Sequence, residues 1–196
     1  MTTYPCLLAD PPWSYDDKGT GKRGATGRHY DTMPLADIAS LVPRLVDGGE
    51  FELPEEDAWL WLWTTNQFVV DGSAAFVAQS WGYRPVTAVT WIKTTRRQTR
   101  RGVALWGTPA PEVKLGVGRY VRNCTEQLVV CVRGMPKPLD MGVGTAFWAS
   151  SGRHSAKPDE SYRLIERVCD GPRLELFARR RLPGWDAWGD QCPKGE

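Results

Sequence analysis

The chain has 196 residues, with 25 Lys and Arg against 23 Asp and Glu, a net charge of +2. That length suits one α/β domain with a full core, and the mild charge excludes a dedicated basic tail for nucleic acid. Five scattered cysteines without a Cys-x-x-Cys pair, and only two histidines, argue against a disulfide framework or a metal site and predict a reduced, cytoplasmic setting.

The first predicted element is a short buried strand over residues 6–9, ending in Asp10-Pro11-Pro12-Trp13. Residues 14–28 are polar and Gly-rich and read as a loop. Pro34 opens a helix whose apolar residues Leu35, Ile38, Leu41 and Val42 recur at helical spacing, with Pro43 ending or kinking it. Residues 58–63 form a continuous apolar run, expected to be a strand buried on both faces and closed by Thr64-Thr65-Asn66. A helix over 67–81 is stopped by Gly82, and a third strand covers 86–92. Residues 93–118 read as a basic, poorly ordered insert carrying Arg96, Arg97, Arg100 and Arg101. Strands follow over 127–132 and 146–148. Pro158 is placed at the first helical position, with Asp159 and Glu160 in the first turn, where the helix dipole favours acids. A last strand over 173–177 precedes an Arg-rich and Trp-rich tail. No apolar run is long enough for a membrane span. Alternating strands and helices predict one doubly wound, mostly parallel sheet in a single domain, 1–196.

The four residues after the first strand carry the most chemistry. The Asp10 carboxylate can accept one N–H of an aromatic amine, and the Pro11–Pro12 carbonyls the other, because proline fixes φ and removes backbone donors. Trp13 offers a flat face for a base. Two acceptors would localise an amine lone pair otherwise delocalised into its ring, so transfer to an amino nitrogen needs no strong base. A plain turn followed by a core tryptophan fits the same four residues. Their place at the carboxyl end of a strand favours the ligand-site reading.

Further segments follow in order: Tyr30-Asp31-Thr32-Met33, Trp61-Leu62-Trp63-Thr64, Trp81-Gly82-Tyr83, Thr90-Trp91-Ile92-Lys93 and Arg122-Asn123-Cys124-Thr125-Glu126. Then come Lys157-Pro158-Asp159-Glu160, Leu176-Phe177-Ala178-Arg179, and Pro183-Gly184-Trp185 with Trp188-Gly189-Asp190. With Asp10 to Trp13 they span nearly the whole chain, which resembles the MT-A70 family of S-adenosylmethionine-dependent N6-adenine methyltransferases. The resemblance implies a Rossmann-like fold in the permuted order of β-type amino-methyltransferases, with the catalytic motif ahead of the cofactor strand. It implies Asp10, Pro11, Pro12 and Trp13 as catalytic residues. The same carry-over places Asp10, Lys157, Phe177, Arg179, Asp190 and Gln191 at S-adenosyl-L-methionine. Tyr30 and Lys93 are expected at the polynucleotide. Arg96, Arg97, Arg100 and Arg101 either meet phosphates or form a solvated loop. Glu126 would buttress the catalytic loop, or pair with Arg122.

Two departures from the family pattern stand out. The chain starts a few residues before Asp10, so an acid on an earlier strand in eukaryotic members has no counterpart. Asp190-Gln191 stand where relatives often carry Asn before the last Gln or Glu. The expected activity is methylation of adenine N6 in DNA, ahead of RNA, on the ground of a compact chain without an RNA-binding appendage. Alternatives are RNA adenine, cytosine N4, a free nucleotide, or a non-catalytic nucleic-acid-binding relative.

Overall fold

A computed structural model describes residues 1–15, 32–54, 56–95, 102–103, 109–110, 112–118, 120–152, 156–189 and 192. In chain order the elements are β1 (Cys6–Ala9), α1 (Leu35–Asp47), β2 (Ala58–Thr64), α2 (Asn66–Val70), α3 (Ser73–Ser80) and β3 (Arg84–Thr94). They continue with β4 (Gly102–Val103), β5 (Pro109–Ala110), β6 (Thr125–Arg133), β7 (Ala146–Ser150), α4 (Asp159–Val168), β8 (Arg173–Leu176) and β9 (Asp186–Trp188).

Seven strands form one sheet in the order β7-β3-β6-β2-β1-β8-β9, and β4 pairs only with β5. Within the large sheet β6 runs antiparallel to β2 and β3, and the other neighbours are parallel. The sheet is thus mixed and mostly parallel, as expected of a Rossmann-like α/β fold. Reversing β6 has a consequence for the site. The start of β6 lies beside the ends of β2 and β3, with Gln127 opposite Thr64 and Thr90, and Glu126 opposite Trp91. Asp10, Thr64, Lys93 and Glu126 therefore gather at one edge, together with the chain leaving β8.

The period of two along the central strands divides the core. Leu7 and Ala9 of β1 and Leu60 and Leu62 of β2 face Ile38 and Val42 of α1 and Val77 of α3. Cys6 and Leu8, with Trp61 and Trp63, face Ile165 and Val168 of α4. Burying a side chain such as Ile165 contributes about 1.5–3 kcal/mol. Several tryptophans are also anchored by their indole N–H, Trp81 Nε1 donating to Ile38 O at 3.0 Å and Trp91 Nε1 to Ala149 O at 3.0 Å.

Four elements differ from expectation. α1 runs through Pro43 to Asp47, because Pro43 lies on the exposed side while Leu45 and Val46 extend the apolar face onto the core. The predicted helix over 67–81 is two helices, broken where Gly72 takes φ 84° and Asp71 Oδ1 accepts the Ser73 N–H at 2.9 Å. Pro158 caps α4 in extended backbone rather than occupying its first turn. Residues 186–188 form β9 beside β8, a strand too short for the alternation signal. Among the described residues, no helix is long and apolar enough to cross a membrane, and no cluster of His, Cys, Asp or Glu could hold a metal ion.

The underside of α4 carries a buried acid. Glu175 of β8 accepts from Tyr162 Oη at 2.8 Å. Burial pushes its carboxyl up to about 7, opposed by the Tyr162 hydrogen bond and reinforced by the charge of Asp10. A folded-state value above the usual 4.5 means that the native chain binds more protons than the unfolded chain between those pH values. Stability then falls as pH rises through that window and levels off above it. Glu175→Gln keeps an acceptor for Tyr162 and removes the charge. It should raise the melting temperature at pH 8 by on the order of 5 °C and leave it nearly unchanged at pH 4.5, as measured by thermal melts across pH.

Candidate active site

The gathered strand ends line one cleft, which Asp10, Pro11, Pro12, Trp13, Tyr15 and Thr32 enter from β1 and the chain around it. Thr64 and Thr65 enter from the end of β2, Glu126 from the start of β6, Lys157 from ahead of α4, and Arg179 from beyond β8.

Alternating charges bind these ends together. Lys157 Nζ lies 2.9 Å from Asp10 Oδ1 and 3.1 Å from Glu126 Oε2. The other Glu126 oxygen is bonded by Lys93. Each lysine also sits over an indole, Lys157 Nζ at 5.2 Å from the Trp63 ring and Lys93 Nζ at 5.0 Å from Trp91. Burial disfavours the charge on Glu126, but Lys157 and Lys93 outweigh it and hold the carboxyl below its usual value. Burial likewise works against the Lys157 ammonium, and Asp10 and Glu126 reverse it, so the pKa of Lys157 rises. Arg122, the other partner considered for Glu126, instead donates to Gly116 O at 2.5 Å.

The motif backbone is fixed as well. Trp13 N–H donates to Pro11 O at 2.9 Å and Met33 N–H to Pro12 O at 2.8 Å, so each proline carbonyl keeps one lone pair. Trp13 is nearly buried; its ring stacks on Phe68 at 5.0 Å, and its Nε1 donates to Trp63 O at 2.9 Å. Tyr15 leans on the same Phe68 at 4.8 Å. Beyond β8, Phe177 adopts left-handed backbone with φ 61°, a strain on the order of 1 kcal/mol in a non-glycine residue. That turn carries the chain to Arg179 at the cleft, while the Phe177 ring meets Trp188 edge-on at 6.2 Å.

Of the residues expected at the site, Asp10, Pro11, Pro12, Trp13, Lys157 and Arg179 line this cleft, and Lys93 joins them through Glu126. Phe177 is adjacent in the chain. Tyr30, Arg96, Arg97, Arg100, Arg101, Asp190 and Gln191 lie outside the described residues. Sequence reasoning missed Tyr15, Thr32, Thr64 and Thr65. Thr64 and Thr65 close the β2 apolar run at its carboxyl end, a position that could have flagged them.

The donor set suits a zwitterionic amino-acid cofactor. Two carboxylates, a lysine and an arginine share one cleft, offering partners for both an ammonium and a carboxylate. Thr64 adds a second observation, because its buried Oγ1 lines the cleft without a hydrogen-bond partner among the described residues.

Removing the Glu126 charge leaves the half-buried Lys93 without its carboxylate and Lys157 with Asp10 alone. Since its carboxyl is held below the usual 4.5, its contribution is complete above that pH and fades as pH falls through the lowered value. Glu126→Gln should cost roughly 3 kcal/mol at pH 7 and clearly less at pH 3, read from denaturant unfolding at the two pH values.

The MT-A70 family model matches residues 4–191. The type II methyltransferase M.MunI of Mycoplasma sp is 27% identical over 206 residues, covering 97% of this chain and 78% of that protein. The N(6)-adenosine-methyltransferase MT-A70-like protein of Arabidopsis thaliana is 28% identical over 196 residues, 97% of this chain and 24% of its own length. The human N(6)-adenosine-methyltransferase catalytic subunit METTL3 is 28% identical over 193 residues, 96% of this chain and 28% of its own length. The chain thus spans about a quarter of the length of these two relatives. With a family match over nearly all its residues and an acidic Pro-Pro-Trp motif built into a charged cleft, this chain belongs to the MT-A70 family.

Proposed function

We propose that the protein methylates adenine N6 in a polynucleotide, DNA ahead of RNA, with S-adenosylmethionine as methyl donor. The observation that carries this reading is Asp10 held by Lys157 at the carboxyl end of β1, beside two proline carbonyls with spare lone pairs. The extent of the match to a type II methyltransferase, 78% of that protein, favours DNA over RNA.

Asp10 accepts one hydrogen of the adenine amine, and the spare lone pair of a Pro11 or Pro12 carbonyl accepts the other. Both hydrogens held in this way leave the N6 lone pair directed outward. S-adenosylmethionine, held by Lys157 and Arg179, would supply an electrophilic methyl carbon on a sulfonium, with the neutral thioether as leaving group. The alkylated nitrogen then carries a surplus proton, which Asp10 holds at Oδ2 before it leaves to water, since Oδ1 is engaged by Lys157. Positioning does most of the work in such a transfer. Trp13 and Tyr15 supply the aromatic wall for the base, and a target in a duplex must leave its stack to reach them. Lys157 has three N–H donors, two of them directed to Asp10 and Glu126, so the third is assigned to the cofactor carboxylate. Arg179, Phe177, Asp190 and Gln191 complete the cofactor side, and Tyr30 and Lys93 the substrate side.

Asp10→Asn should fold and yet retain less than about a tenth of wild-type methyl transfer to oligonucleotides, since losing a charge-assisted hydrogen bond costs roughly 1.5–3 kcal/mol. Arg179→Ala should weaken S-adenosylmethionine binding by roughly tenfold to a hundredfold in calorimetry. Wild-type turnover in the first variant would remove Asp10 from the chemistry, and an unchanged Kd in the second would relocate the cofactor. Parallel assays on DNA, RNA and mononucleotides decide the acceptor.

Arg96, Arg97, Arg100 and Arg101 are assigned to the substrate backbone. Replacing all four with Gln should flatten the slope of log K against log salt by about 0.7–0.9 for each phosphate that is no longer neutralised. Cofactor affinity should not change, and an unaltered slope would return the cluster to a solvated loop.

A further inference from the structure

A second recess adjoins the cleft and is lined by Tyr15, Thr65, Asn66, Gln67, Tyr120 and Asn123, with Gly118 and Val121 completing its wall. Tyr15 and Thr65 line both cavities, so they form the partition between them. The recess measures about 440 Å³, within the range of small-molecule sites, about 300–1,000 Å³.

Its chemistry differs from that of the neighbouring cavities. Among the described residues no charged side chain lines it, whereas the cavity on the far side of Glu126 contains Lys93 and Lys114. A phosphate would find its partners in that far cavity rather than here. Three carboxamides and two phenols suit a planar, neutral group with both donors and acceptors on its edge. A nucleobase is such a group, recognised by stacking on aromatic rings and hydrogen bonding along its edge.

Two of the three carboxamides, those of Asn66 and Asn123, are held in advance. Asn66 Nδ2 donates to Thr125 Oγ1 at 3.0 Å, and Asn66 Oδ1 accepts from Gln127 Nε2 at 2.8 Å. Gln127 is fixed in turn by Thr90 Oγ1 at 2.9 Å. Asn66 thus keeps one N–H and one lone pair, in an orientation set by β3 and β6. The opposite wall is strapped down. Asn123 Nδ2 donates to Val117 O at 3.1 Å, and Gly116 N–H donates to Asn123 O at 2.6 Å. A Cβ at Gly118 would lie 1.8 Å from Val121 O, so only glycine allows this turn. The turn presents Tyr120, 93% exposed, beside Val121 at 77%. Large exposed apolar groups clustered at the rim of a site mark a binding surface.

We infer that this recess seats the base next to the target adenine in a single-stranded or opened strand, with Tyr120 as the stacking face and the carboxamides reading its edge. The inference rests on the proposed polynucleotide substrate. It makes flanking-base preference a property of residues 66, 67, 120 and 123 rather than of the catalytic motif.

The test is a cycle between protein and substrate. Single-stranded oligonucleotides with one target adenine carry a normal base or an abasic residue on its 5′ or its 3′ side. Wild type and Tyr120→Ala are compared by methyl transfer at limiting substrate. Abasic substitution on one side should lower wild-type kcat/KM roughly fivefold to a hundredfold, the range expected when one base no longer stacks on an aromatic ring. Tyr120→Ala should show a similar loss on the intact strand and no further loss on that abasic strand, with an unchanged Kd for S-adenosylmethionine. Gln67→Ala, read by sequencing products from a pool randomised around the adenine, should flatten the preference at that same position. Losses that multiply on both sides, or a variant equal to wild type, would overturn the inference while leaving the methyltransferase reading intact. Tyr120→Ala dissociating a dimer in sedimentation, with flanking preference unchanged, would reassign the surface to a second copy of the chain. Wild type that methylates no oligonucleotide would overturn the polynucleotide substrate, and this inference with it.

Discussion

The charges Asp10, Lys157, Glu126 and Lys93 form one chain of ion pairs that joins three strand ends to the entry of α4. Each of these groups alone would carry a heavy desolvation cost at its depth. Together they neutralise one another, and the two carboxylates and two ammoniums fix the relative positions of β1, β3, β6 and the entry to α4. The cleft depends on this constraint because Asp10, Glu126 and Lys157 are themselves part of its lining.

Reversal of β6 makes that arrangement possible. In a fully parallel sheet the start of a strand lies at the far edge from its neighbours' ends. An antiparallel β6 brings Glu126 to the edge that carries Asp10 and Lys93, so a residue opening a strand can face residues closing others. The same reversal aligns Gln127 with Asn66 and Thr90, which gives the second recess its prearranged carboxamide. The charged cleft and the neighbouring recess are thus two products of one topological feature, separated by Tyr15 and Thr65.

Indole hydrogen bonds anchor tryptophans in the core and at the cleft alike. Trp81 and Trp91 are tied to backbone carbonyls deep in the two cores, and Trp61 to Cys169 Sγ at 3.0 Å. Trp13 is tied in the same way to Trp63 O yet also lines the cleft. A tryptophan anchored at its N–H and backed by Phe68 is a rigid wall, and rigidity is what positioning chemistry requires.

The sequence by itself determined the elements whose signal is local. The apolar run of β2, the alternation of strands and helices, the Asp10-Pro11-Pro12-Trp13 motif and its position after β1 are all properties of neighbouring residues. Period and turn chemistry suffice to read them. Most of the cleft's lining was legible through the motif segments, including Lys157 and Arg179. The break at Gly72 and the passage of α1 through Pro43 were not, because tertiary packing decided whether each local breaker took effect. Partnership was decided only by the tertiary structure. Glu126 and Arg122 are four residues apart, and sequence made them natural partners. The folded chain instead joins Glu126 to Lys93 and Lys157, which lie 33 and 31 positions away, since strand direction and register set which charges meet. Tyr15 and the carboxamide recess stayed hidden for the same reason: their roles come from what lies beside them in the folded chain, and a linear pattern carries no record of that.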